Sequence, residues 1–291
     1  MTKIKIIGKP GQQDVEILKK WLEDSLRKFS LYPNRVYFIF IQNLQQFKQV
    51  LQRYEKPTPD LTPEEDSLLT ELEFEKFHYT AYIREDHRKA KVPPIILIRK
   101  GAKISKYSLL DEVAHMAEDK HGWNKQKAKG FGLLKDRAVE FRERCKKLQM
   151  DTSLLPSFFS WFRDQLFDFF SGEMMCQHNL NEEVFRDKEM GLNDLIGEAR
   201  IIFPLQTKFV DFGLTVGAAF WSTLPPSYPK KENESKLEEI VIGFIRQISM
   251  ESYYRKIKSV VSQLKSPPEA TNIYKCGAQI IELAQEFLEE K

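Results

Sequence analysis

The sequence predicts a mixed α+β fold, with a small N-terminal mixed sheet threaded by helices and then a largely helical C-terminal half. Three observations carry this. Arg35–Gln42 (RVYFIFIQ) is β-branched and aromatic and Pro93–Arg99 carries an apolar run, as expected of buried strands. Segments of helical apolar period separate the strand-like runs. Beyond residue 185 apolar residues recur at helical spacing. The expected division is residues 1–185 for the α+β part and 186–291 for the helical part.

In chain order, Met1–Lys9 reads as a strand ended by Pro10-Gly11. Asp14–Phe29 places Val15, Leu18, Leu22 and Leu26 on a helical stripe, and Tyr32-Pro33-Asn34 breaks it. After the Arg35 strand, Leu44–Tyr54 reads as a helix. Glu55–Glu65 is acidic and punctuated by prolines, hence a loop, and a short helix is expected over Glu64–Phe74. Phe77–Arg84 (FHYTAYIR) alternates as a strand. Lys106–Trp123 reads as a helix with Ser108 as N-cap and Gly122 at its end. Its buried positions are Leu109, Leu110, Val113, Ala114, Met116 and Ala117. Later helices are expected over residues 133–149, over Ser157–Met175, over Leu180–Glu198 with breaks at Gly191 and Gly197, and over Ile201–Trp221. Pro225–Lys231 reads as a linker. Leu237–Leu264 and Ala270–Glu290 follow as two amphipathic helices.

A chain of 291 residues, 42% hydrophobic and 30% charged, with 21 Phe, can bury a large core. The net charge of +3 gives no reason to expect nucleic acid as a partner. The basic excess from Lys125 to Lys147 reads first as a solvated helix face, and second as a surface for an anionic partner. Cys145, Cys176 and Cys276 are widely spaced and read as reduced thiols, the usage of a cytoplasmic protein. MTKIKIIGK lacks the apolar core of a signal peptide, and no stretch is suited to crossing a membrane. There is no phosphate-cradling Gly-rich loop and no G-x-S-x-G elbow.

The chemistry concentrates in Asp111-Glu112-Val113-Ala114-His115. An acid and a histidine four residues apart share one helix face. The frame is H-E-x-x-H with aspartate in place of the first histidine. In the intact motif the two histidines hold zinc and the glutamate serves the metal-bound water. A strand, a turn at Gly101 and then this helix resemble the zincin-like metallopeptidase fold over roughly residues 35–185, most closely in PPIILIRKGAKISKYSLLDEVAHMAEDKHG. The resemblance implies a metal-dependent peptidase or hydrolase, with Asp111 and His115 as ligands of a divalent metal such as zinc and Glu112 as general base. It also implies a third ligand from a later helix, for which Asp168 is the first choice and Asp164, Glu173 and His121 are alternatives. A peptide or protein is the implied substrate or partner. The departure at Asp111 hardens the donor set and opens a second reading, a zincin-like protein that binds peptide or protein without catalysis.

Each residue also has a plain structural reading. Asp111 suits the positive end of the helix dipole. Glu112 could pair with a surface lysine, and His115 could be a satisfied core histidine. Glu118-Asp119-Lys120 reads as a solvated helix end. A metzincin frame, with His121 as third ligand, needs glycine where Glu118 stands. Asp164 and Asp168, on an otherwise aromatic helix, fit its wet stripe. His78 and His87 read as structural or exposed.

Overall fold

The computed structural model describes residues 2–10, 15–56, 67, 70, 71, 73, 74, 79–85, 87–102, 104–148, 155–202 and 208–290. The loop expected over Glu55–Glu65 lies almost wholly outside these residues, as do Phe77 and His78 and much of the helix expected over Glu64–Phe74. The architecture is mixed α+β. The chain divides into two compact units, residues 1–124 and 125–291. This division falls before the sequence-based one at 185, because the helices from Lys125 onward bury their apolar faces among themselves.

In the first unit, β1 (Lys3–Ile7), α1 (Val15–Lys28), β2 (Arg35–Ile41), α2 (Leu44–Tyr54), β3 (Thr80–Ile83) and β4 (Ile95–Arg99) lead into α3 (Lys106–Lys120). The strand order is β1-β2-β4-β3. β1, β2 and β4 run parallel, and β3 pairs antiparallel with β4, Thr80 opposite Ile98 and Tyr82 opposite Ile96. β2 and β4 alternate between two buried faces. Ile39, Ile41, Ile95 and Leu97 share one core with Phe47 of α2 and Ile83 of β3. Phe38, Phe40, Ile96 and Ile98 point the other way and are also buried. Side chains alternate along a strand, so Thr80 and Tyr82 face away from the α2 core, toward α3. α3 packs on both β3 and α1.

α3 starts one turn earlier than Ser108 suggests. Ser105 is its N-cap, and its hydroxyl accepts from the Ser108 amide at 3.0 Å. Its end is as expected: Gly122 has φ +73°, a conformation that suits glycine. The six apolar positions expected to be buried are all 6% exposed or less.

The second unit comprises α4 (Trp123–Gly132, whose first two residues belong to the first unit), α5 (Lys135–Lys147), α6 (Leu155–Gln177), α7 (Asn181–Ile202), α8 (Lys208–Ser222), α9 (Asn233–Gln247), α10 (Glu251–Val261) and α11 (Ala270–Glu289). α8 is its hub, packed against α6, α7, α9, α10 and α11. Aromatic rings fill the space between. Phe158 meets Phe209 at 5.2 Å between ring centroids, and Phe162 meets Phe220 at 6.0 Å.

Three expectations are corrected here. α7 runs unbroken through Gly191 and Gly197; Gly191 instead permits close packing, since a Cβ there would lie 2.6 Å from the Trp221 ring. Leu237–Leu264 is two helices. Ser249 adopts φ +58°, and the amides of Ser249 and Met250 turn back to the carbonyls of Arg246 and Ile245, a helix stop made without glycine. Pro225–Lys231 is an ordered connection: Tyr228 is buried, and the Ser227 amide donates to Glu173.

Candidate functional site

α3 gathers four polar side chains against the edge strand β3. Asp111 and His115, one turn apart, place Oδ2 and Nε2 3.7 Å from each other. Between them in sequence, Glu112 is only 6% exposed. It accepts a hydrogen bond from the Thr80 hydroxyl at 2.8 Å and another from the Tyr82 backbone. Burial and the neighbouring Asp111 carboxylate push the Glu112 carboxyl up from 4.5 to about 7, against the opposing pull of His115 and Thr80. The plain reading of Glu112, a surface carboxylate paired with lysine, is therefore overturned. This carboxyl takes and gives a proton near neutral pH, which suits a general acid–base group.

His115 is only 13% exposed in its side chain, and its Nδ1 lies 2.8 Å from the wholly buried Oε2 of Glu118. The expected solvated helix end is overturned here as well. Asp119 accepts from the Tyr82 hydroxyl at 2.7 Å and from the Glu85 amide at 2.8 Å, and Asn124 donates to both Asp119 and the His115 carbonyl. The Arg88 guanidinium closes this cluster by donating to the Tyr82 hydroxyl. Helix geometry explains the reversal. Glu118 lies one turn beyond Ala114 and two beyond Leu110, on the buried face, and only Lys120 of the Glu-Asp-Lys triplet is exposed.

The donor set fits a metal. Two ligands each about 2.1 Å from a tetrahedral cation stand about 3.4 Å apart, close to the observed separation of Asp111 and His115. An imidazole and a carboxylate are both ordinary zinc donors.

The later acids are placed as follows. Asp168 is half-buried on α6 of the second unit, beside a small cavity that Gln165, Asp187 and Lys188 also line. Asp164 stands 40% exposed next to Arg163. Glu173 is wholly buried and committed to structure, since it accepts from the Ser227 amide and the Gln177 side chain. His121 is exposed at the C-cap of α3. The Cys176 thiol is pushed up to about 12 by burial and by Glu173, so it makes a poor thiolate ligand.

Sequence reasoning missed Glu118 and Thr80. The i, i+3 spacing of His115 and Glu118 was a usable signal. Nothing in the sequence says that Thr80, rather than Ala81, faces the helix. Comparison of the chain with protein-family models, with curated proteins and with solved structures gives no match.

Proposed function

We propose that the chain is a zincin-like metal-dependent peptidase or hydrolase whose first metal ligand is aspartate. One observation carries this reading: a buried glutamate with its carboxyl raised to about 7 lies on the same helix as an aspartate–histidine pair at ligand spacing. In this proposal His115 and Asp111 hold a divalent metal. The bound metal would polarise a scissile carbonyl and acidify water. Glu112 would accept the proton of the attacking water, with Thr80 holding its carboxylate in place. The substrate class is a peptide or protein segment.

A second reading has its own support. Asp111 and His115 also have the spacing of an i, i+4 ion pair, which needs no metal. A zincin-like module that binds peptide or protein without hydrolysing it would keep this pair and lose the chemistry.

Elemental analysis of protein purified without chelators separates the two. About one divalent metal per chain, lost in His115→Ala, is the expected result. With the metal retained, Glu112→Gln should abolish hydrolysis of unstructured peptides, and unchanged hydrolysis would refute the general-base role. Protein that stays metal-free after incubation with zinc, manganese and iron favours the binding module.

A further inference from the structure

We infer that Glu118 is the positioning residue of this site, fixing the tautomer and orientation of the His115 ring so that Nε2 acts on the Asp111 side. The inference deepens the metal-site reading and rests on it. The Glu118 carboxylate is wholly buried and 2.8 Å from His115 Nδ1. A carboxylate offers only acceptors, so in the neutral imidazole the proton sits on Nδ1 and the lone pair on Nε2. Nε2 is the nitrogen that lies 3.7 Å from Asp111 Oδ2. A histidine ligand commonly donates its second N–H to a carboxylate, which orients the ring and raises its basicity.

The helix turn carrying Glu118 is itself held. Asp119 is tied to Tyr82 and Glu85 of the edge-strand region, and Asn124 donates to the His115 carbonyl. The carboxylate therefore meets the ring from a fixed backbone. Any Glu118–His115 hydrogen bond places the proton on Nδ1; a pair that served packing alone would leave zinc affinity at Nε2 unchanged when Glu118 is replaced. The positioning role requires that affinity to fall.

The test is nitrogen-15 NMR of the histidine rings in the full-length, metal-free protein at pH 8, together with zinc titration. The expected wild-type signature for His115 is the Nδ1–H tautomer. In Glu118→Gln the amide can donate as well as accept, so a mixture of tautomers should appear. Zinc affinity should fall 10–100-fold while the circular dichroism spectrum is unchanged. A wild-type Nε2–H tautomer overturns the inference without any variant. So does a Glu118→Gln protein with an unaltered tautomer and unaltered zinc affinity. If wild type binds no zinc, the metal-site reading fails, and the tautomer measurement still decides whether Glu118 positions the ring.

Discussion

The two units bury ionisable groups in different ways. In the first, Glu112 and Glu118 meet polar partners on α3 and β3: a hydroxyl, a backbone amide and an imidazole. In the second, Lys188 donates to the Phe220 carbonyl at 2.9 Å and lies over the rings of Phe169 and Trp221. Lys127, wholly buried rather than part of the expected solvated basic face, lies 4.5 Å from the centre of the Phe167 ring. Burial moves both kinds of group toward neutrality, Glu112 up to about 7 and Lys188 down to about 8. In the first cluster convergent donors and acceptors accompany the shift. A shifted group points to chemistry when its neighbours are directional; over ring faces it also serves packing.

Four experiments would break or sharpen this contrast. The largest effect is expected from Phe162→Ala in α6, a wholly buried ring. Denaturant unfolding should show a loss of about 4 kcal/mol in the second unit; a loss below about 1 kcal/mol would mean that the aromatic cluster is not its core.

Next is Glu112→Gln, with the opposite sign. In the native protein Glu112 keeps its proton up to about pH 7, whereas the unfolded chain loses it near 4.5. Wild-type stability therefore falls as pH rises between those values, and the cost is complete above 7. The variant should be more stable than wild type by about 3 kcal/mol at pH 8, with the advantage gone below pH 4.5. Melting curves across that range read it directly, and a pH-independent difference would contradict the raised carboxyl.

Gly191→Ala should cost about 2 kcal/mol through overpacking against Trp221, despite the better helix propensity of alanine. Thermal unfolding at fixed pH measures it, and a stabilised variant would show that the α7–α8 contact can spread. The smallest effect is expected from Thr80→Val. Losing one hydrogen bond should cost about 1 kcal/mol and move the Glu112 titration further upward, because the Thr80 hydroxyl favours its charged form. Carbon-13 NMR of the Glu112 carboxyl would follow this, and an unmoved titration would remove Thr80 from the site.

The sequence revealed what depends on local period. β2 and α2 come out at nearly their expected limits because alternation and helical stripes are properties of short segments. The Asp111–His115 pairing was legible for the same reason, since helix geometry fixes i and i+4. What was hidden depends on tertiary neighbours. The stop at Ser249 puts a serine in the left-handed region, where glycine is the usual signal. Glu118 looked like one of three charges at a helix end, and only the packing around α3 turns it inward. The boundary at Lys125 falls inside a helix, where composition gives no sign of it.

The edge strand has a dynamic consequence. Thr80 and Tyr82 are fastened to carboxylates of α3, while β3 has one neighbouring strand among the described residues. Release of β3 would break bonds to the helix along with its ladder to β4. Amide hydrogen exchange in Thr80–Ile83 should therefore keep step with that of α3, as one cooperative opening, and neutralising Asp119 as Asp119→Asn should speed exchange in the strand.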